Sequence, residues 1–144
     1  SELLLVQGSV NEVYGVARKE NCPILMHAAA FSKSISRVAL IEPYSSYTSI
    51  VENRFYKPSF VHSIVPGALK AYDLPDITAA IAPGKLLIAG VTDCNGEIAG
   101  KEYVEKELEI ITKAYRSSNA ENQLTIVPGE VTGILSNLLM NWVK

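Results

Sequence analysis

Two short apolar stretches, Val38-Ala39-Leu40-Ile41 and Leu86-Leu87-Ile88-Ala89, decide the fold that this sequence predicts. Each is a continuous hydrophobic run, whereas a strand with one face in water alternates apolar and polar side chains. Continuous runs of this length are typical of strands whose two faces are both covered by helices in a parallel sheet. We therefore predict a three-layer α/β fold in which helices flank about four parallel strands.

Working outward from these runs, we predict four strands separated by stretches long enough for crossover helices. Right-handed crossovers place such strands side by side in sequence order. The predicted strands are residues 10–14, 36–41, 85–91 and 123–127. The predicted helices are residues 23–31 after a possible cap at Asn21, a short helix capped by Asp73, residues 100–117 and residues 130–142, while 42–67 is predicted to be a loop excursion with little helix.

Length and composition indicate one folded domain spanning residues 1–144. Hydrophobic residues make up 48% of the chain and charged residues 19%, which is the opposite of a disordered composition. The net charge of -2 supplies no basic footprint, so we expect no nucleic-acid partner. The domain is therefore expected to fold around its own core and to act on something other than nucleic acid.

The cysteines and the apolar runs exclude several further classes of protein. Cys22 and Cys94 form no CxxC motif and have no histidine at metal-ligand spacing, so neither a disulfide framework nor a metal site is predicted. They also do not indicate a compartment. No apolar run approaches the roughly 18 to 20 residues that a membrane span requires. We expect no cofactor and no membrane-spanning segment.

A series of motifs resembles the carboxyl-terminal part of an α/β-hydrolase, in particular the acetyl xylan esterase-like branch. In that branch a DLPD helix start precedes an APxxLL strand. The resemblance implies that the four predicted strands are the last four of an eight-stranded sheet, and that the chain is part of a larger hydrolase-like protein. The motifs are Val13-Tyr14-Gly15, His27-Ala28-Ala29-Ala30, Ser46-Tyr47-Thr48-Ser49-Ile50-Val51, Val65-Pro66-Gly67-Ala68-Leu69-Lys70, Tyr72-Asp73-Leu74-Pro75-Asp76 and Ala82-Pro83-Gly84-Lys85-Leu86-Leu87.

The same resemblance implies a catalytic triad that this chain does not complete. The family's G-x-S-x-G nucleophile turn is matched by Gly15-Val16-Ala17-Arg18-Lys19, which has Ala17 at the nucleophile position. Asp93 matches the position of the acid. The family's histidine would follow the last strand, where Gly129-Glu130-Val131-Thr132 offers none. The resemblance therefore implies a carbohydrate-ester hydrolase, but this chain alone is expected to be inactive.

Each candidate residue also has a simpler structural interpretation. Asp93 precedes Gly96, and we favour a turn role over an acid role for it. His27 is expected to be packed or hydrogen-bonded at the edge of the core, and His62 to lie in a loop. Arg18 and Lys19 suit either an anion site or, as we prefer, a solvated surface pair.

Three functions stay open on the sequence. The first is an esterase-like α/β-hydrolase whose chemistry depends on residues outside this chain. The second is a pseudoenzyme, a non-catalytic binding or assembly module with a carbohydrate as one candidate ligand, and the third is a flavodoxin-like ligand-binding domain. The strand at 10–14 is expected to leave an unpaired edge, which would allow a homo-oligomer to form there.

Overall fold

The computed structural model describes residues 3–9 and 12–144, with side chains described from residue 12 onward. Its centre is a five-stranded sheet in the spatial order β1-β2-β3-β4-β5. The last four of these strands are parallel, and β1 pairs antiparallel with β2. The strands are β1 Leu3–Ser9, β2 Glu12–Arg18, β3 Ile35–Ile41, β4 Lys85–Ala89 and β5 Leu124–Val127.

The predicted α/β class and the four parallel strands in sequence order are confirmed, but the predicted end of the first strand is wrong. Residues 10 and 11 of that prediction lie outside the described residues. β2 continues beyond Tyr14 to Arg18, because Ala17 pairs with Leu40 and Arg18 with Ile41 of β3. Backbone pairing with a neighbouring strand thus extends β2 past the expected turn.

The expected unpaired edge on this strand is also wrong. β1 covers it in an antiparallel ladder that runs from Leu3 opposite Ala17 to Ser9 opposite Glu12. A strand whose hydrogen-bonding groups are already paired does not recruit a second chain through that edge. The homo-oligomer stays a prediction, without the support of this edge.

In the described part of the chain, six helices and four 3₁₀ turns lie between the strands or follow the last one. The helices are α1 Cys22–Phe31, α2 Tyr47–Val51, α3 Leu74–Ala79, α4 Lys101–Glu107, α5 Glu109–Ser117 and α6 Leu135–Val143. The 3₁₀ turns are Lys19–Asn21, Pro58–Ser63, Ala68–Lys70 and Glu121–Gln123. Among the described residues, no helix has the length and apolar character needed to cross a membrane.

The helix predictions are right in kind and differ in their boundaries. The helix predicted over 100–117 divides at Leu108, whose φ of -97° and ψ of 11° depart from helical geometry. The helix predicted from residue 130 begins only at Leu135, and Gly129 just before that stretch has a φ of 83°. Asn21 precedes α1, but its side chain makes no capping hydrogen bond.

The predicted cap at Asp73 is confirmed, and its carboxylate contacts the starts of two helices. Its carboxylate accepts the N–H of Leu74 at the start of α3, and the Asp76 side chain accepts the N–H of Asp73 at 2.7 Å, which completes a capping box. The same carboxylate accepts the N–H groups of Tyr47 and Thr48 at 2.6 and 3.0 Å. Asp73 thereby holds the start of α2 against the start of α3.

Both faces of the sheet are buried, which explains the continuous apolar runs. Val38, Leu40, Leu86 and Ile88 point into the larger core, which includes α1, α3 and α5. The alternate residues of the same strands face a smaller core with Trp142 of α6. Because successive side chains of a strand point to opposite faces, every position in these runs must be apolar. Those alternate residues are Ala39, Ile41, Leu87 and Ala89.

Candidate functional site

The carboxyl ends of the parallel strands β2, β3 and β4 meet at one edge of the sheet, where ligands bind in open α/β folds. β2 ends at Arg18, β3 at Ile41 and β4 at Ala89, so the residues that follow each strand lie side by side. Two distinct regions form there. One is a cluster of charged groups after β2 and β3, and the other is a polar crevice between the β3 loop and α4.

The first region is an ion-pair cluster of Arg18, Lys19 and Glu42. Arg18 donates from Nε to Glu42 Oε2 at 2.8 Å and from Nη2 to Oε1 at 3.1 Å. Lys19 Nζ lies 3.7 Å from Glu42 Oε2. The Glu42 side chain is only 9% exposed, and the hydrogen bond from Arg18 lowers the pKa of its carboxyl. The cluster therefore keeps a nearly buried carboxylate ionised by surrounding it with cations.

Backbone geometry marks this cluster as unusual. Lys19 has a φ of 54° and Glu42 a φ of 51°, a left-handed conformation that side-chain-bearing residues rarely adopt. Each such residue costs on the order of 1 kcal/mol and persists only when its surroundings hold it there. The turn after β2 therefore falls at Lys19. Ala17, the residue matched to a nucleophile by sequence, lies inside the strand and is fully buried.

Beside this cluster lies a small cleft of about 180 Å³ that brings the loop after β5 into the site. Lys19 and Glu42 line it together with Glu130 and Thr132, from the stretch in which the sequence offered no histidine. Lys57 and Glu97 complete the charged part of its wall. The cleft thus gathers cations and carboxylates from the segments that follow four different strands.

The second region, the hydroxyl crevice, has a volume of about 620 Å³ and is lined mainly by polar side chains. Ser46, Asp93, Tyr103 and Glu107 stand in its wall, and Ile98 is an apolar element there. Ser46 donates to Glu107 Oε2 at 3.1 Å while its Oγ accepts the N–H of Ser49 at 3.1 Å, which caps α2. A serine used in this way is fixed in position.

A hydrogen bond between two hydroxyl groups also lies in this wall. Tyr103 OH and Ser45 Oγ share a hydrogen bond of 2.8 Å, with Ser45 almost fully buried behind the tyrosine. Burial raises the pKa of Tyr103 above its usual range, so the phenol stays protonated and able to donate. Burial likewise raises the pKa of the Cys94 thiol in the crevice wall, which disfavours the nucleophilic thiolate.

Asp93, the predicted acid, lies in the crevice wall and is used in a turn. Its Oδ1 accepts the N–H of Asn95 at 2.8 Å and that of Glu97 at 3.0 Å. Gly96, with a φ of 81°, completes the turn. This geometry agrees with the preferred turn role. A catalytic role for Asp93 stays a prediction.

The two histidines lie outside this wall. His27 Nδ1 is 2.7 Å from Pro23 O and its Nε2 is 2.9 Å from Tyr72 OH, as expected for a hydrogen-bonded histidine at the core edge. His62 is exposed in the 3₁₀ turn Pro58–Ser63. Within the described part of the chain, no hydrogen bond joins either histidine to Asp93. The same residues contain no group of three His, Cys, Asp or Glu side chains placed to hold a metal ion.

Sequence reasoning missed the partners that build both regions. Tyr103 and Glu107 are four residues apart and therefore share one face of α4, which is a readable signal. Nothing local indicates that this face meets the Ser45-Ser46 loop after β3. Arg18 and Lys19 are 41% and 43% exposed, in keeping with the preferred interpretation as a surface pair, and the sequence did not indicate that both contact the nearly buried Glu42.

The fold and this edge define a three-layer α/β domain with a polar crevice at the carboxyl ends of its strands. Comparison with known proteins adds no relative: no family model, no curated protein and no solved structure matches the chain.

Proposed function

We propose that this chain is a non-catalytic, α/β-hydrolase-like domain that binds a small hydroxyl-rich molecule, of which a carbohydrate is the best example, in the hydroxyl crevice. The motifs quoted above support the hydrolase-like relationship. The observation that carries the binding function is the pair of fixed hydroxyl contacts, Ser46 with Glu107 and Ser45 with Tyr103, in a crevice of about 620 Å³.

The chemistry of the wall suits such a ligand. A molecule rich in hydroxyl groups loses many hydrogen bonds to water on binding, so its site must offer donors and acceptors in fixed positions. Ser46, Tyr103, Glu107 and Asn53 supply both kinds of group, and Lys106 adds a cationic donor. Because their partners already orient Ser46 and Tyr103, less rotamer freedom is lost when a ligand arrives.

The charged cluster argues against serine-hydrolase chemistry within this chain. Lys19 occupies the tight turn after β2, where its ammonium group pairs with the carboxylate of Glu42, and the neighbouring Ala17 and Arg18 supply no nucleophile. A serine nucleophile requires a base within hydrogen-bonding reach and a third group that orients that base. Neither His27 nor His62 makes such a contact in the described residues. Binding without turnover is therefore the function that the geometry favours.

Titration of the chain with a panel of neutral mono- and oligosaccharides, followed by amide chemical shifts, tests the binding function. We expect shifts confined to the loop after β3, the 93–99 loop and α4. Tyr103→Phe and Glu107→Gln should each weaken binding about tenfold by removing one hydrogen bond to the ligand or its wall. Glu102→Gln, on the same helix but outside the crevice, is the matched control.

An ester-hydrolysis assay tests the competing function. With p-nitrophenyl acetate we expect no turnover above the buffer background from the chain or from Asp93→Asn. Turnover that is well above background in the chain and lost in Asp93→Asn would replace the binding proposal with a catalytic one. If the saccharide-induced amide shifts are unchanged in both Tyr103→Phe and Glu107→Gln, the ligand does not bind in this crevice.

A further inference from the structure

A surface that shares Lys57 with the small cleft combines exposed apolar side chains with cations. We name it the basic aromatic patch, formed by Arg54, Phe55, Tyr56, Lys57 and Val61 around an open depression of about 520 Å³. Phe55 is 73% exposed, Tyr56 41% and Val61 45%. Side chains of this size and character usually mark a contact surface when they cluster in the open.

The charge of this region differs from that of the whole chain. Residues 53–72 contain Arg54, Lys57, Lys70 and His62 but no aspartate or glutamate, while the complete chain has a net charge of -2. The same stretch of sequence also contains Val65 and Leu69, which are 40% and 43% exposed. Positive charge and exposed apolar surface are therefore concentrated in one segment.

The patch is anchored to the core and does not need to fold on contact. The N–H of Lys57 donates to Cys94 O at 2.8 Å. Phe60, only 1% exposed, packs its ring 4.5 Å from that of Tyr44. The N–H of Phe55 donates to Asn53 Oδ1 at 3.1 Å. Exposed Phe55 and Val61 are thus presented by neighbours whose positions are fixed.

We propose that the basic aromatic patch binds the surface of an anionic phospholipid bilayer. Aromatic side chains are favoured at the level of the lipid headgroups, and cations nearby are attracted by the negative surface potential. Arg54 and Lys57 can lay their aliphatic stems along the apolar surface and keep their charges among the phosphates. The segment consists of short 3₁₀ turns and irregular chain, which suits contact with the wet interfacial zone and not deep insertion.

The exposed side chains favour a bilayer over other anionic partners. Single-stranded nucleic acid is held by stacking on aromatic faces, and aliphatic Val61, Val65 and Leu69 offer no such face. An acidic polypeptide would use the same cations, but it would gain little from an apolar surface spread along a whole segment. Acyl chains at the bilayer interface contact aromatic and aliphatic side chains alike.

Sedimentation of the full chain with vesicles tests the proposal. Vesicles containing phosphatidylglycerol should bind the chain, and vesicles of pure phosphatidylcholine should bind it much more weakly. Each basic residue near an anionic surface contributes roughly fivefold to partitioning, so the double variant Arg54→Gln with Lys57→Gln should lose about twenty-five-fold. Lys101→Gln with Arg116→Gln removes the same charge from exposed positions on α4 and α5 and should have little effect.

A second pair of variants isolates the apolar contribution. Phe55→Ser should weaken binding by about tenfold, since an aromatic side chain would no longer be buried in the interface. Phe31→Ser is the matched control, because Phe31 is 80% exposed at the end of α1 and lies outside the patch. Retained circular dichroism in both variants shows that neither has unfolded.

Three outcomes would overturn the proposal. The first is equal binding to neutral and anionic vesicles, and the second is an equal loss of binding in Phe55→Ser and Phe31→Ser. The third is binding to polyglutamate or to a single-stranded oligonucleotide without binding to vesicles, which would assign the patch to that partner instead. Anionic-vesicle binding that is lost selectively in the patch variants supports the bilayer.

Discussion

The ion-pair cluster and the hydroxyl crevice lie at the same edge of the same sheet, yet they use their polar groups in opposite ways. In the cluster, Arg18 and Lys19 both contact the carboxylate of Glu42. In the crevice, the Ser46 hydroxyl bonds Glu107 and the N–H of Ser49, and the Tyr103 hydroxyl bonds Ser45. Both residues still border about 620 Å³ of open space. Charges that pair with one another stabilise a turn, whereas oriented hydroxyls beside open space can accept a ligand.

This difference explains why the strained backbone does not by itself identify the binding region. Lys19 and Glu42 both have positive φ values, a feature that often marks functional sites. Here the strain is matched by ion pairs inside the cluster. The crevice has ordinary geometry around Ser46, which caps α2 from an extended conformation. We therefore attribute a stabilising role to the ion-pair cluster and the proposed ligand binding to the hydroxyl crevice.

The largest expected effect tests whether Gly15 lies within β2 and packs against α1. A Cβ added at Gly15 would lie 2.5 Å from Cδ1 of Leu25, which is 1% exposed in the core. We expect Gly15→Ala to lower the free energy of unfolding by about 2 kcal/mol through overpacking. Gly133→Ala is the control, because no atom lies within 4 Å of its added Cβ. Equal urea midpoints for the two variants would indicate that Gly15 lies in a turn and not in a buried strand.

The next prediction compares the nearly buried ion pair of the cluster with an exposed ion pair that has the same nitrogen-to-oxygen distance of 2.8 Å. Glu42→Ala should lower the free energy of unfolding by about 1.5 kcal/mol, because Arg18 loses two charge-assisted hydrogen bonds. Glu109 also lies 2.8 Å from its cation, Lys113, but the two side chains are 63% and 65% exposed. Glu109→Ala should therefore change stability much less. Equal losses in urea unfolding would mean that burial does not distinguish the two pairs.

A smaller loss is expected in the crevice wall. Ser46→Ala removes both the α2 cap and the hydrogen bond to Glu107, which should cost about 1 kcal/mol in urea unfolding. Ser118→Ala, whose hydroxyl donates to Ala114 O in an exposed turn, should cost less. If Ser46→Ala proves neutral in stability yet binds saccharide normally, Ser46 has no role in the wall.

The smallest effect concerns pH. The folded-state pKa of Glu42 lies below its unfolded value, so the carboxylate contributes stability above the unfolded pKa of about 4.3. That contribution is lost as pH falls through the lowered folded pKa. The stability difference between the chain and Glu42→Gln should be constant near neutral pH and shrink by several tenths of a kcal/mol on acidification. A stability difference that grows in acid would contradict the lowered folded-state pKa of Glu42.

Much of the framework could be predicted from local patterns. The runs at Val38-Ala39-Leu40-Ile41 and Leu86-Leu87-Ile88-Ala89 predict buried strands because covering both faces demands apolar residues at every position. Asp73 predicts a helix start because a short carboxylate can accept the free N–H groups there. These features depend on neighbours within a few residues, and the structure bears them out.

The parts that could not be predicted depend on partners far away in the chain. Glu42 lies 24 residues from Arg18, and Ser46 lies 61 residues from Glu107. The end of β2 depends on its pairing with β3, and its outer edge on β1. No local propensity reports such contacts, since strand register and helix docking are settled by packing across the whole domain.

The sequence by itself determined the class of the fold, the order of its parallel strands and the cap at Asp73, because each follows from the periodicity or chemistry of adjacent residues. Only the tertiary structure decided which polar groups neutralise one another and which stay beside open space. Arg18 and Ser46 are both polar residues near the end of a strand. Their different roles come from the distant carboxylates, Glu42 and Glu107, that folding brings to each of them.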